Sequence, residues 1–301
     1  MTVERRATLA RVAARRTESS ATPLFLLGLH RGGTTYVQRI LNCHRRVVLW
    51  GENGGLVTHL RRAHGRAGNL QRAEAARYQE FDTFAARFIP WASRVDQDGL
   101  LRAMARFVRD LHRAEPPAAF WGFKEIRHGN RGDLRFLRSL FPEARIALLV
   151  RHPRDVLLSQ IHVSWSRPTR RANAASRARR FVAQYVRAIR AFLELEAEHP
   201  ELTRLFRYEE LLRRPAVGRL FTWLGLDLDA ADHDRLRAVR SARVGSSFSD
   251  VGRPLDAGVV DDVSAAFDAQ MTSTLKTLDP RVKEPLVSWY PDLRRSTRPR
   301  L

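Results

Sequence analysis

The chain has 301 residues with 44% hydrophobic content, enough for one large domain with its own core, and no run approaches the roughly 18 apolar residues that a membrane span needs. Its single Cys43 excludes an intrachain disulfide, and the opening MTVERRATLARVAARRTESS lacks the apolar stretch of a secretory signal, so a cytoplasmic location is expected. A formal net charge of +21, from 53 basic and 32 acidic residues, favours anionic partners. Only Lys124, Lys276 and Lys283 are lysines, however, and an arginine bias of that kind also follows from GC-rich coding.

Residues 1–21 are polar and rich in Arg, Ala and Ser, and are expected to form a flexible basic arm. Residues 22–295 are expected to form one domain, followed by a short tail at 296–301. LFLLGLHRGGTTYVQRIL, Leu24 to Leu41, reads as a buried strand over 24–28, a glycine-rich turn and a helix running to about Asn42. RVVLWGE gives a short second strand that ends at Gly51 and Glu52. Residues 55–115 read as helical. The clearest stretch is DGLLRAMARFVRDLHRAE, where Leu100, Leu101, Met104, Phe107, Val108 and Leu111 share one stripe that Pro116 and Pro117 close.

FWGFKEIR is a third strand, DLRFLRSLF a helix, and ARIALLVR a fourth strand whose unbroken run Ile146 to Val150 suits the centre of a parallel sheet. SRPTRRANAASRARR, residues 166–180, reads as a basic connection, and RFVAQYVRAIRAFLELEAEH as a long amphipathic helix. TRLFRYEELLRRP follows as a last strand with a helical start. This alternation predicts an α/β fold of three layers, P-loop-like, with a central parallel sheet flanked by helices and ligands at the carboxyl ends of its strands.

The turn after the first strand has the chemistry of an anion cradle. Gly28 and Gly33 stand at P-loop spacing, but Thr34 occupies the lysine position and Thr35 the hydroxyl position. Backbone amides entering a helix, two threonine hydroxyls, the close approach allowed by Gly32 and Gly33, and the planar cation of Arg31 all suit a phosphate. The missing lysine argues against a nucleoside triphosphate, and IALLV runs into Arg151 where a magnesium-holding aspartate would stand. No metal is expected.

That strand end opens RHPRDVLLSQ, in which Arg151 and Ser159 lie eight residues apart across a turn and the first turns of a helix. Pro153 fixes the turn, and Asp155 suits its first helical turn as a structural residue. If this strand lies beside the 24–28 strand, a second phosphate fits between Arg151 and Ser159, and the ligand carries two well-separated phosphates. These segments resemble the sulfotransferases that use 3′-phosphoadenosine 5′-phosphosulfate (PAPS). Arg31-Gly-Gly-Thr-Thr35 is similar to their 5′-phosphosulfate loop, [RK]-S-G-T-T, and Arg151 to Ser159 to their 3′-phosphate motif, R-x-P-x-D-x-x-x-S. RYEEL at 207–211 followed by Pro215 is a further family-like feature, so the resemblance covers roughly residues 22–230. Gly32 stands where the family usually has serine.

The resemblance implies transfer of a sulfuryl group from PAPS to a hydroxyl acceptor, with release of PAP. Glu52 ends the second strand 21 residues after Arg31, a spacing similar to that of the general base in tyrosylprotein sulfotransferases. His30 and His44 are rival bases. Lys124, on an apolar strand in an otherwise arginine-using chain, is the candidate catalytic cation, because an ammonium can share a proton with a leaving oxygen. Alternation along that strand points its neighbour Glu125 to the opposite face. Trp50, Trp121 and Phe123 could wall a ligand site or belong to the core, and Arg253 could reach the 3′-phosphate. A carbohydrate, a natural product or another small hydroxylated molecule is the expected acceptor class, with peptide tyrosine as an alternative. An ATP-dependent kinase and a basic nucleic-acid-binding protein are the rivals from other classes, the latter supported by charge alone.

Overall fold

All five strands carry apolar side chains toward both pleat faces, so each face needs a covering layer. In the computed structural model, which describes residues 21–78, 95–112, 118–162, 173–228, 231–241 and 257–295, helices supply those layers. In chain order the elements are β1 (Thr22–Gly28), α1 (Thr34–Leu41), β2 (Val47–Trp50), α2 (Leu56–Tyr78), α3 (Gln97–Leu111), β3 (Phe120–Glu125), α4 (Arg131–Leu140), β4 (Arg145–Val150) and α5 (Pro153–Ile161). They continue with α6 (Ala174–Glu198), β5 (Thr203–Arg207), α7 (Tyr208–Leu211), α8 (Arg214–Trp223), α9 (His233–Ser241), α10 (Ala257–Thr277), α11 (Pro280–Trp289) and α12 (Asp292–Arg295).

The sheet is wholly parallel in the order β2-β3-β1-β4-β5. It matches the α/β architecture expected from the sequence. β1 is central, with Leu26 beside Lys124 of β3 and Gly28 beside Leu149 of β4. One pleat face sends Leu24, Leu26, Ala147 and Leu149 against Ile40 of α1 and Leu220 of α8. The other sends Phe25, Leu27, Ile146 and Leu148 into a larger core with Val182 and Ile189 of α6 and Phe267 of α10. Burial on both faces is why these strands read as apolar runs rather than alternating ones. With β1 between β3 and β4, the turns that follow all three strands gather at one edge of the sheet, where open α/β sheets bind their ligands.

One helical stripe is only partly covered, and one expected connection needs correction. Phe107 and Leu111 are 50% and 56% exposed, while Met104 and Val108 of the same stripe are buried. α3 packs chiefly on α2 and α4, and its apolar stripe is wider than the face those helices cover. The stretch expected to be a connection is partly helix, since α6 begins at Ala174. Ala174 and Ala178 enter the core, and Arg179 and Arg180 project outward from a stretch whose polarity imitates a loop. Residues 1–20 and 296–301, expected to form the arm and tail, lie outside the described residues. No described helix is long and apolar enough to cross a membrane.

Candidate active site

The turn from β1 into α1 is shaped by what its glycines exclude. A Cβ on Gly28 would meet Thr34 Cγ2 at 2.7 Å, and one on Gly33, whose φ is 91°, would run into the Tyr208 ring at 2.2 Å. Arg31 also has a positive φ, 65°, which makes it the one non-glycine residue in that region among the described residues. Holding an arginine there costs about 1–3 kcal/mol, a strain that functional turns commonly carry. The Gly32 amide closes the turn by donating to Leu29 O at 2.8 Å. The amides of Gly33, Thr34 and Thr35 donate to no described residue, α1 has no side-chain cap, and no acid lies in its first turn. Three unpaired N–H groups at a helix start favour an anion.

Arg151 leaves β4 directly beside this turn. Its Nη1 donates to Arg31 O at 3.3 Å, its guanidinium lies 4.9 Å from the centre of the Tyr208 ring, and its backbone oxygen accepts from Tyr185 Oη at 2.8 Å. Its Nε is buried and without a hydrogen-bond partner. Arg31 Nε donates to Ser159 Oγ at 2.9 Å, so the two motifs meet at the same end of the sheet. Burial, and then the adjacent Arg151, lower the Arg31 guanidinium from its ordinary value, the signature of two confined like charges that an anion would relieve. Asp155 stands 3.9 Å from Arg151 and is half exposed, consistent with a structural place in the first turn of α5.

His30 is the third group of the turn. Burial, then Arg31, pushes its imidazole down to about 4. It is therefore neutral at pH 7. Because its unfolded value is near 6.5, it withdraws stability as pH falls from about 6.5 to about 4. His44 is at the wrong end of the molecule for a base. It precedes β2 at the amino edge of the sheet, buried against Phe221.

The second cluster joins residues distant in sequence. Lys124 Nζ pairs with Glu52 Oε1 at 2.5 Å, and Arg127 Nη1 with Glu52 Oε2 at 3.0 Å. Lys124 is 7% exposed, held at the carboxyl end of β3 next to β1. Glu125 does leave the strand on the other face, yet it serves the same cluster. Its fully buried carboxylate accepts from the amides of Gly55 at 2.8 Å, Asn53 at 3.3 Å and Ile126 at 2.8 Å, and from Arg127 at 2.8 Å. Burial pushes that carboxyl up, but these hydrogen bonds outweigh it and hold the group below the usual carboxylate range. Glu125 thus anchors both the turn that carries Glu52 and the arginine that pairs with it.

Among the other candidates, Thr34 is 3% exposed, whereas Thr35 lines an open cavity of about 520 Å³ with Gln38, Arg39 and Arg235. Trp121 and Phe123 belong to the core, and Trp50 is half exposed. Arg253 lies outside the described residues. Sequence reasoning assigned no role to Tyr208 or Glu125. The signals available were an acid at the carboxyl end of β3 and an aromatic directly after the carboxyl end of β5.

Several solved structures resemble this one in fold. A sulfotransferase from Alicyclobacillus acidocaldarius superposes with a TM-score of 0.49 at 16% identity, covering 91% of this chain and 99% of that one. The sulfotransferase domain from the Synechococcus PCC 7002 olefin synthase gives 0.45 at 18% identity over 83% and 96%. A mouse sulfotransferase complexed with PAP gives 0.48 at 13% identity over 91% and 90%. No curated protein matches the sequence significantly. The model of the Sulfotransferase family matches residues 23–230, a span that takes in nearly all of β1 to the end of α8, the turns after β1 and β4 and the Glu52–Lys124 pair, and the chain belongs to that family.

Proposed function

We propose that the protein transfers the sulfuryl group of PAPS to a hydroxyl-bearing acceptor and releases PAP, without a metal. The observation that carries this reading is the convergence at one sheet edge of the unpaired amides of Gly33, Thr34 and Thr35 with Arg31 and the orphaned Arg151 Nε. Such a surface fits a ligand with two phosphate-type groups. Arg31 and the amides of α1 would hold the 5′-phosphosulfate; Arg151 and Ser159 would hold the 3′-phosphate. PAPS supplies the sulfuryl group and a stable leaving group.

The chain's own side chains supply the rest. Glu52 takes the acceptor proton on a carboxylate oxygen, while Lys124 Nζ, a movable proton donor 2.5 Å away, steadies the departing oxygen. Arg127 keeps the Glu52 carboxylate facing Lys124. Tyr208 walls the Arg151 side through its ring.

His30 reports on this reading. An anion beside Arg31 offsets the positive field that helps depress the imidazole, so its pKa should climb from about 4 when PAP binds. Binding of PAP should then be accompanied by proton uptake at the imidazole as pH approaches about 4. An NMR titration of the ring, assigned with His30→Asn, measures this directly. An unmoved His30 at saturating PAP would place the donor elsewhere.

A further inference from the structure

Beside the strand ends, on the α6 side of the sheet, lies an open cavity of about 390 Å³. Leu29 and Arg127 bring it to the edge of the reacting groups, and Arg180, Gln184 and Arg187 line it from α6. The wall is tight, since a Cβ on Gly129 would meet Ala188 of α6 at 3.2 Å. Arg31, Arg151 and the start of α1 are not among its lining residues, so the cavity is separate from the anion-facing donor surface.

The charges around it are unequal. Arg127 is already paired with Glu52 and Glu125. Arg180 and Arg187 form no ion pair or hydrogen bond with any described residue. Glu194 and Glu198, the nearest acids along α6 that do pair, are taken by Arg131 and Arg135. Position matters as much as charge. The 180 and 187 positions are seven residues apart, two helical turns, and so present their guanidinium groups along one face of α6.

Two uncommitted arginines along one wall, with the Glu52 carboxylate at the end where Arg127 stands, describe a receptor for a molecule with an anion at one end and a hydroxyl at the other. The geometry points to an acceptor that is itself anionic, carrying a carboxylate or sulfate group that Arg180 and Arg187 bind while its hydroxyl faces Glu52. This rests on the sulfuryl-transfer reading above and narrows its acceptor. A fork-shaped guanidinium pairs such groups through two parallel N–H donors, which discriminates them from neutral analogues of equal size. The size of the cavity favours a small acid over a polymer.

The test compares 4-hydroxyphenylacetate and glucuronate with their methyl esters, by calorimetry on the enzyme saturated with PAP at fixed ionic strength. PAP binding is measured first and separately, so its failure counts against the donor assignment, and acid binding, to the PAP-saturated enzyme or to the free enzyme where PAP does not bind, then decides the acceptor site. The expected result is at least about tenfold tighter binding of one acid than of its ester, a preference that collapses in Arg180→Ala/Arg187→Ala. Arg219→Ala/Arg237→Ala, which removes the same charge from exposed positions on α8 and α9, should keep it. Equal binding of acid and ester, no binding of either, or a preference that survives in Arg180→Ala/Arg187→Ala, would overturn the assignment.

Discussion

Replacing Glu52 with glutamine should lower turnover by about 10²–10⁴-fold while leaving PAP affinity nearly unchanged. The amide keeps the size and the hydrogen-bonding reach of the carboxylate, so Lys124 and Arg127 retain a partner oxygen, but it cannot take the acceptor proton. Donor binding stays intact because the anion-facing groups, Arg31, Arg151 and the amides of α1, make no contact with Glu52 among the described hydrogen bonds and ion pairs. Single-turnover kinetics with PAPS, beside calorimetry with PAP, separates the two effects. Unchanged turnover would transfer the proton-accepting role to His30, since His44 sits at the far edge of the sheet.

Glu125→Gln should have the largest effect on stability. The carboxylate is fully buried and takes four donors, one of them the Arg127 guanidinium. Arg127 is half exposed and keeps its pair with Glu52, so the cost comes from the buried donors that the carboxylate no longer satisfies, about 1–3 kcal/mol for each one left unpaired. The amide has only one acceptor oxygen, so at least one of the backbone donors at Asn53, Gly55 or Ile126 is left unpaired. Chemical denaturation should register the loss. At a temperature where the variant stays folded, kcat should also fall with KM for PAPS little changed, because the 53–55 turn no longer fixes Glu52. The wild-type contribution has a definite pH sign. The folded pKa is depressed, so the stabilisation is present above the ordinary carboxylate pKa of about 4 and fades as pH falls below it.

What the sequence disclosed of this site follows the range over which each constraint acts. The β1 turn and the Arg151 to Ser159 segment are local motifs, so their residue types announce anion chemistry wherever the fold puts them. The parallel pairing of β1 with β4, needed to bring them together, was only a condition in the sequence and is met in the structure. The contact of Lys124 with Glu52 spans 72 residues of chain, and nothing in either segment specifies the other. Glu125 was set aside by strand alternation, a rule that holds within the pleat. At the last residue of β3 the side chain clears the sheet edge and reaches around to the adjacent turn. Phe107 and Leu111 show the same limit on a helix: periodicity identifies an apolar stripe, but the neighbours decide how much of it is covered.

The central claim is a PAPS-type donor held by the β1 and β4 turns, and thermal unfolding with PAP against ATP plus magnesium tests it most directly, at matched ionic strength because the chain is so basic. PAP at 100 times its Kd should stabilise the protein by about 2.7 kcal/mol, and Arg151→Ala should abolish that gain. Stabilisation by ATP with magnesium alone, or a PAP effect that persists in Arg151→Ala, would contradict the account.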